Sequence, residues 1–217
     1  MAIKGIIFDF NGTLFFDTPL HNRAWDVILK RYSCTLSDED KSRVMHGKNN
    51  TEIIKTILPE KLSDGEIKML SKEKEEIYRQ LCLQQKMELA PGAEDFLEFL
   101  VQRKLPFTIA TSSEIDNLNF YFEQFRLERY FDRQCVIYDD GSMKSKPDPE
   151  IFLRAMNMLK TDAAHTLIFE DSASGIKAAE RSLASKVIIV NSTDAVHSSS
   201  SHQIIRSFAE VDRTLFD

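Results

Sequence analysis

"IIFDFNGTLFFD", residues 6–17, is an apolar run broken by Asp9 and turned at Asn11-Gly12. Short continuous hydrophobic segments of this kind read as strands buried on both faces. One that ends in a carboxylate delivers a charge to the strand's carboxyl end, where open α/β sheets build their sites. If Asp9 is a nucleophile, an acid two residues on is the expected proton carrier. Position 11 instead holds an amide, which cannot move protons.

Working outward, the first strand is placed at residues 3–10 and is followed by helical spacing at Leu20, Ala24, Trp25, Ile28, Leu29 and Tyr32. Only helices are read from there to about residue 88: an acidic helix start at Ser37-Asp38-Glu39-Asp40, another at Thr51-Glu52, and a longer helix through Ile67, Leu70, Ile77 and Leu81. After Pro91-Gly92 the pattern changes to short strands alternating with helices, the strands at 106–113, 135–138, 166–171 and 186–190. Alternation of this kind implies parallel strands joined by crossover helices. The expected architecture is a Rossmann-like α/β core, residues 1–15 and 89–217, with an all-helical insertion at 16–88. The polar stretch "SSSSH" (198–202) is read as a solvated loop before a last helix near Gln203 to Phe208.

Composition narrows the function classes. The 217 residues can bury a sizeable core, and a net charge of -6 gives no general attraction for nucleic acid or an anionic membrane. Cys34, Cys82 and Cys135 lie far apart without CxxC spacing, which argues against a disulfide framework or structural zinc. The chain starts directly in a strand, and no apolar stretch approaches a membrane span, so a cytoplasmic protein is expected. The sequence assigns no oligomeric state.

Four strand candidates lead into loops with a polar residue at the strand end: Asp9 with Asn11 to Thr13, Thr111 with Ser112 and Ser113, Lys146 in "KSKPDP", and Glu170-Asp171 in "FEDSASG". Taken singly, Asp9 reads as a turn residue, Lys146 as a solvated loop lysine, Thr111 as a helix cap and Glu170-Asp171 as a helix-start acid pair. In a parallel sheet, however, all carboxyl ends share one edge, and the four loops converge. Asp9 and Asp171 supply hard oxygen ligands suited to Mg²⁺. A carboxylate beside a metal, Lys146 and the Thr111 hydroxyl can attack a phosphoryl group, because the cations cancel repulsion between two anions. Backbone amides at Gly12 and Ser112 are candidate holders of phosphoryl oxygens.

Together these residues resemble the haloacid dehalogenase (HAD) superfamily, especially the branch containing β-phosphoglucomutase and similar sugar-phosphate phosphatases. The family's first motif, Asp-x-Asp-Gly-Thr, stands here as Asp9-Phe10-Asn11-Gly12-Thr13, its Ser/Thr motif as "TIAT" ending at Thr111, its lysine motif as Lys146-Pro147, and its acidic motif as "FEDSASGIKAA". "PLHNRAW" (19–25) and "APGAEDFLEFL" (90–100) also look like that branch, whose helical cap sits between the first strand and the Pro-Gly turn. The resemblance implies a Mg²⁺-dependent phosphatase that forms an aspartyl phosphate on Asp9. Thr111 and Lys146 would hold the phosphoryl group. Asp9, the Asn11 carbonyl and Asp171 would hold the metal, with Glu170 supporting its water shell. Gly12, Thr13, Ser112, His21 and Asn50 are the substrate-binding candidates, and the partner is a small phosphorylated metabolite.

Two positions depart from the family pattern. Asn11 replaces the general acid/base, and Asn50 stands where the mutase has a phosphate-binding arginine, which favours hydrolysis over mutase chemistry. Lys48, Lys74 and Arg79 are read mainly as solvated charges, and Phe15-Phe16 as an apolar lip between cap and core. A phosphometabolite-binding protein with little turnover and a mutase-like phosphotransferase stay open as alternatives. Dehalogenase and phosphonatase chemistry rank lower.

Overall fold

A computed structural model describes residues 2–58, 62–193 and 201–217. Strand β1 (Gly5–Phe8) lies at the centre of a six-stranded parallel sheet. The other strands are β2 (Phe107–Glu114), β3 (Ile137–Asp139), β4 (Thr166–Glu170), β5 (Lys186–Val190) and β6 (Gln203–Ile205), in the order β3-β2-β1-β4-β5-β6. Every residue of β1 is buried, which is why its sequence is a continuous apolar run rather than an alternating one. Its side chains still alternate between faces. Ile6 and Phe8 join the larger core, whereas Ile7 joins a second core with Ala110, Phe152, Ile168, Ala178 and Val187.

The crossover helices cover both faces. Helices α5 (Ala93–Gln102) and α6 (Ile115–Phe125) supply Phe96, Leu97, Leu100, Leu118, Tyr121 and Phe122 to the larger core. Helices α7 (Glu150–Leu159) and α8 (Ala173–Arg181) supply Ile151, Ala155, Met156 and Ala179 to the other. The result is the three-layer α/β arrangement expected of the alternating pattern.

Four helices fall between β1 and α5: α1 (Thr18–Arg31), α2 (Asp38–Val44), α3 (Asn50–Ile57) and α4 (Asp64–Leu83). Their starts follow ordinary capping chemistry. Ser37 accepts the Asp40 amide at 3.1 Å and Asn49 that of Glu52 at 3.0 Å. Ser63 and Glu66 form a capping box at the head of α4. Trp25, Ile28, Leu29, Met45, Ile53, Ile54, Ile67 and Leu70 give these helices an apolar core of their own. Among the described residues no helix is long and apolar enough to cross a membrane.

Two local expectations are corrected. Gln203–Ile205 is not a helix but edge strand β6, pairing Ile188 with Gln203 and Val190 with Ile205. Ile204 is exposed and Ile205 buried, as successive residues of a strand point to opposite faces; three residues are too few for the sequence pattern to separate this from a helix. Strand β3 also begins at Ile137 rather than 135, because Asp132 accepts the Gln134 amide at 3.0 Å and winds residues 133–135 into a 3₁₀ turn. Of the polar loop expected at 198–202, residues 198–200 lie outside the described residues.

The centre of the larger core is aromatic. Phe8 stacks on Phe169 with ring centroids 5.0 Å apart and meets the rings of Phe96, Phe107, Phe131 and Phe208. Replacing it leaves a cavity inside a sheet that cannot collapse to fill it. Phe8→Ala is therefore expected to cost roughly 3–5 kcal/mol in urea unfolding; a loss below about 1 kcal/mol would contradict this packing.

Candidate active site

Parallel register brings the chemistry together. Phe8 pairs with Phe169 on one side and Ile109 on the other, so the chain after β1, the end of β4 and the middle of β2 meet at one edge. The Asp9 amide donates to the Phe169 carbonyl at 3.0 Å, fixing Asp9 beside Glu170 and Asp171. Lys146, from the loop between β3 and α7, is only 1% exposed. Its ammonium donates to Asp9 Oδ1 at 2.6 Å and to Glu170 Oε2 at 2.7 Å. The other Glu170 oxygen accepts the amides of Asp171 and Ser172 and the Ser172 hydroxyl at 2.9–3.1 Å. Both Glu170 oxygens are thus engaged in holding Lys146 and the loop that carries Asp171.

Oxygen atoms of Asp9, Glu170 and Asp171 lie within 4.8 Å of one another. Thr13 donates to Asp171 Oδ1 at 3.3 Å. Gly12 sits at φ +82°, and a Cβ there would lie 2.1 Å from Asp171 Oδ2, so the turn after β1 requires glycine twice over. Burial, then the charge of Glu170, push the Asp9 carboxyl up to about 7 against the pull of Lys146. Burial and the neighbouring Glu170 and Asp9 raise Asp171 well above the usual carboxylate range. Burial opposes the charge on Lys146, but Asp9 and Glu170 outweigh it and hold the ammonium above the ordinary lysine value. Three carboxylates thus face one ammonium. This hard, all-oxygen, electron-rich donor set fits a divalent cation such as Mg²⁺.

The Asn11 amide is fully occupied by the chain. Its Nδ2 donates to Asp17 Oδ2 at 2.6 Å and to the Tyr121 hydroxyl at 2.7 Å, and its Oδ1 accepts from Ser113 at 2.8 Å and Thr111 at 3.3 Å. Asp17 is completely buried. It also accepts the Gly12 amide at 2.9 Å and the Tyr78 hydroxyl. The Gly12 amide, expected to face a phosphoryl group, is thereby turned to Asp17, and the Thr111 hydroxyl to Asn11.

The helices between β1 and α5 close over this edge. Ser112 donates to the Gly47 carbonyl at 3.0 Å, and Ser145 accepts the Asn49 amide at 3.1 Å. Gly47, at φ +77°, passes so close that a Cβ would lie 2.3 Å from Ser172 Oγ. Between the two layers is a cavity of about 90 Å³ whose lining includes Asp9, Asn11, Asp171, Ser112, His21 and Asn50. His21 stacks on Tyr78 with centroids 3.8 Å apart, its Nδ1 2.7 Å from Lys74 Nζ. Asn50 donates to Glu75 at 2.7 Å.

Lys74 corrects its reading as a solvated charge. It is 2% exposed, pairs with Glu75 at 2.8 Å and lies 5.4 Å from the centres of the Trp25 and Tyr78 rings. Lys48 lines the same cavity and pairs with Glu52 at 3.2 Å. Arg79 points elsewhere, donating to Asn117 at 2.8 Å. Phe15 is buried against Phe125, and Phe16 packs on the larger core. Sequence reasoning missed Asp17, Tyr78, Glu75 and Tyr121. Asp17 looks like a helix cap ahead of Thr18-Pro19, yet its side chain caps nothing and turns inward; "KEKEE" (72–76) looks like a surface charge run.

Comparison with known proteins agrees with this arrangement. Residues 6–190 match the family described as haloacid dehalogenase-like hydrolase. The chain is 30% identical over 215 residues to the probable pseudouridine-5'-phosphatase of Drosophila melanogaster, covering 94% of this chain and 89% of the relative. It is 27% identical over 181 residues to the phosphorylated carbohydrates phosphatase of Thermotoga maritima, covering 82% and 81%. Its fold is similar to that of a HAD hydrolase, family IA, variant 3, from Entamoeba histolytica, with a TM-score of 0.87, 34% identity and coverage of 100% and 97%.

His46 roofs the cavity, 2.9 Å from Asn22 Oδ1. Burial, reinforced by the charges of His21 and Lys41, pushes it down from 6.5 to about 4. The unfolded chain therefore takes up this proton first as pH falls. The contribution is fully present above about pH 6.5 and is lost between there and about pH 4, a change of at most about 3 kcal/mol. His46→Gln should flatten the loss of Tm between pH 7 and 5 relative to the parent protein; parallel Tm curves would refute it.

Proposed function

This chain belongs to the haloacid dehalogenase-like hydrolases, and from that premise we propose that it is a Mg²⁺-dependent phosphatase acting on a small phosphorylated metabolite through a phosphoryl-Asp9 intermediate. The observation that carries the proposal is Lys146, held 2.6 Å from Asp9 and 2.7 Å from Glu170 inside an all-oxygen acidic cluster. The names of the relatives, phosphatases of pseudouridine 5'-phosphate and phosphorylated carbohydrates, point the same way.

Asp9, Asp171 and the backbone carbonyl of Asn11 would hold the metal. Bound Mg²⁺ supplies positive charge that lets an anionic nucleophile approach an anionic phosphoryl group. In the first half-reaction a free oxygen of Asp9 bonds to phosphorus and the bond to the leaving oxygen breaks. Lys146 pulls Asp9 toward its ionised form and neutralises charge on the phosphoryl oxygens. In the second, water attacks phosphorus and releases inorganic phosphate and the Asp9 carboxylate. The closed helical layer keeps bulk water from the intermediate until the leaving group has gone.

Position 11 sets the rate. An amide cannot protonate the leaving alkoxide or take the proton of the attacking water, so both protons are exchanged with solvent. Turnover is then slow for alkyl esters and faster for acyl phosphates, whose leaving groups need little protonation. The saturated hydrogen bonding of Asn11 also favours a second reading, a protein that binds phosphometabolites with little turnover.

Phosphate release with Mg²⁺ from sugar phosphates, acetyl phosphate and p-nitrophenyl phosphate separates the two. Asn11→Asp should raise turnover of alkyl esters by roughly 10²-fold, the low end of the general-acid range, because Asp17 would face the new carboxylate as a like charge. Asp9→Asn and removal of Mg²⁺ with EDTA should abolish release. No release from the parent or from Asn11→Asp on any substrate would refute the hydrolase and leave the binding protein.

A further inference from the structure

Position 11 belongs to a closed ring of four polar side chains, and the carboxylate at position 17 sets the direction of its hydrogen bonds. Asn11 Nδ2 donates to the Tyr121 hydroxyl at 2.7 Å, that hydroxyl to the Tyr78 hydroxyl at 3.2 Å, and Tyr78 to Asp17. The ring closes where Asn11 Nδ2 donates directly to Asp17 Oδ2 at 2.6 Å. Asp17, Tyr78 and Tyr121 are all completely buried. We propose that Asp17 is a positioning residue that reserves position 11 for an amide, and that an acid works well at position 11 only when an amide stands at position 17. Its consequence for turnover rests on the phosphatase reading above.

Either change alone breaks the ring. An aspartate at position 11 sets two acceptors face to face across the 2.6 Å contact. It must turn away from Asp17 or hold a proton against it, and in neither arrangement is that proton free for the leaving oxygen. Asparagine at position 17 fails in the opposite sense. Its amide nitrogen must meet either the Gly12 amide, now donating at 2.9 Å, or Asn11 Nδ2, and both are donors.

Both changes together restore every bond. Asparagine at position 17 keeps its oxygen toward the Gly12 amide and turns its nitrogen to the acid at position 11 and to the Tyr78 oxygen. Tyr78 then donates to Tyr121, and Tyr121 to the acid, so the ring runs in reverse through the same four positions. Ser113 and Thr111, which donate to Asn11 Oδ1 at 2.8 and 3.3 Å, serve either residue.

His21 also suits both arrangements. The Lys74 ammonium can only donate, so His21 Nδ1, 2.7 Å from it, accepts and Nε2 carries the hydrogen. Nε2 lies 3.4 Å from Asp17 Oδ2 and 3.3 Å from Asn11 Nδ2, within reach of a carboxylate at either position. With the exchange made, the acid gives one proton to the leaving oxygen and takes one from the attacking water, ending each turnover as it began.

The test is a double-mutant cycle over Asn11→Asp and Asp17→Asn, read by Tm and by phosphate release with Mg²⁺ from glucose 6-phosphate and acetyl phosphate. Each single variant should lose about 4 °C or more in Tm, and the double variant should regain most of that loss. In the Asn11→Asp background, Asp17→Asn should raise kcat for glucose 6-phosphate by about tenfold, with little gain for acetyl phosphate, whose leaving group needs little protonation. In the parent background the same change should bring no gain, because position 11 holds no proton to give. Tm losses that simply add in the double variant would overturn the proposal, since a merely structural Asp17 would cost the same in both backgrounds. A coupled Tm with no coupled gain in kcat would overturn the part of Asp17 in turnover. No release from any of the four proteins would overturn the phosphatase reading, and the Tm cycle would then decide the exchange pair by itself.

Discussion

One buried ammonium organises the whole sheet edge. Lys146 is the sole cation within hydrogen-bond reach of Asp9 and Glu170 among the described residues, and it holds together two carboxylates that would otherwise repel. It does so without neutralising the cluster, because Asp171 adds a third acid that makes no ion pair among the described residues. Buried charge left uncompensated is costly. The raised pKa values of Asp9 and Asp171 express that cost, and a hard divalent ion would relieve it. The glycine at position 12, the loop bonds to Glu170 and the parallel register of β1 and β4 all serve to bring the acids this close.

A second polar network ties that edge to the helices above it. Asp17, at the point where the chain leaves the sheet, gathers the Gly12 amide, the Asn11 side chain and the Tyr78 hydroxyl. Through Tyr78 and its stacked partner His21 the contacts continue to Lys74 and Glu75, and Asn117 of α6 returns them to the core. Asn11 suits this network in a way a second ionised acid would not, since its amide donates to Asp17 while an aspartate would repel it. The missing proton carrier and the closed position of the helical layer are therefore two aspects of one set of hydrogen bonds.

Much of this was legible in the sequence for definite physical reasons. A central parallel strand is buried on both sides, so "IIFDF" announced itself as an apolar run ending in a charge. The order Asp9, Thr111, Lys146, Glu170-Asp171 was readable because parallel strands share one carboxyl edge. The network was not legible. Lys74 and Glu75 sit in a helix whose sequence looks solvated, and they are buried only because His21, Asn50 and Asn117, remote in sequence, reach them. Asp17 was hidden by its resemblance to a helix cap. Strand β6 escaped because three residues carry no decisive period, and its identity depends on the open edge of β5 beside it.

The central claim is that Asp9, placed beside Lys146 and a metal, takes the phosphoryl group covalently. The most direct measurement is mass spectrometry of acid-quenched protein after a brief exposure to acetyl phosphate, with Mg²⁺ or with EDTA. The account predicts one added phosphoryl group on the peptide carrying Asp9, dependent on Mg²⁺, absent in Asp9→Asn, and longer-lived in the parent than in Asn11→Asp. Phosphate released with no label on that peptide at any quench time, or a label that persists in Asp9→Asn, would contradict it.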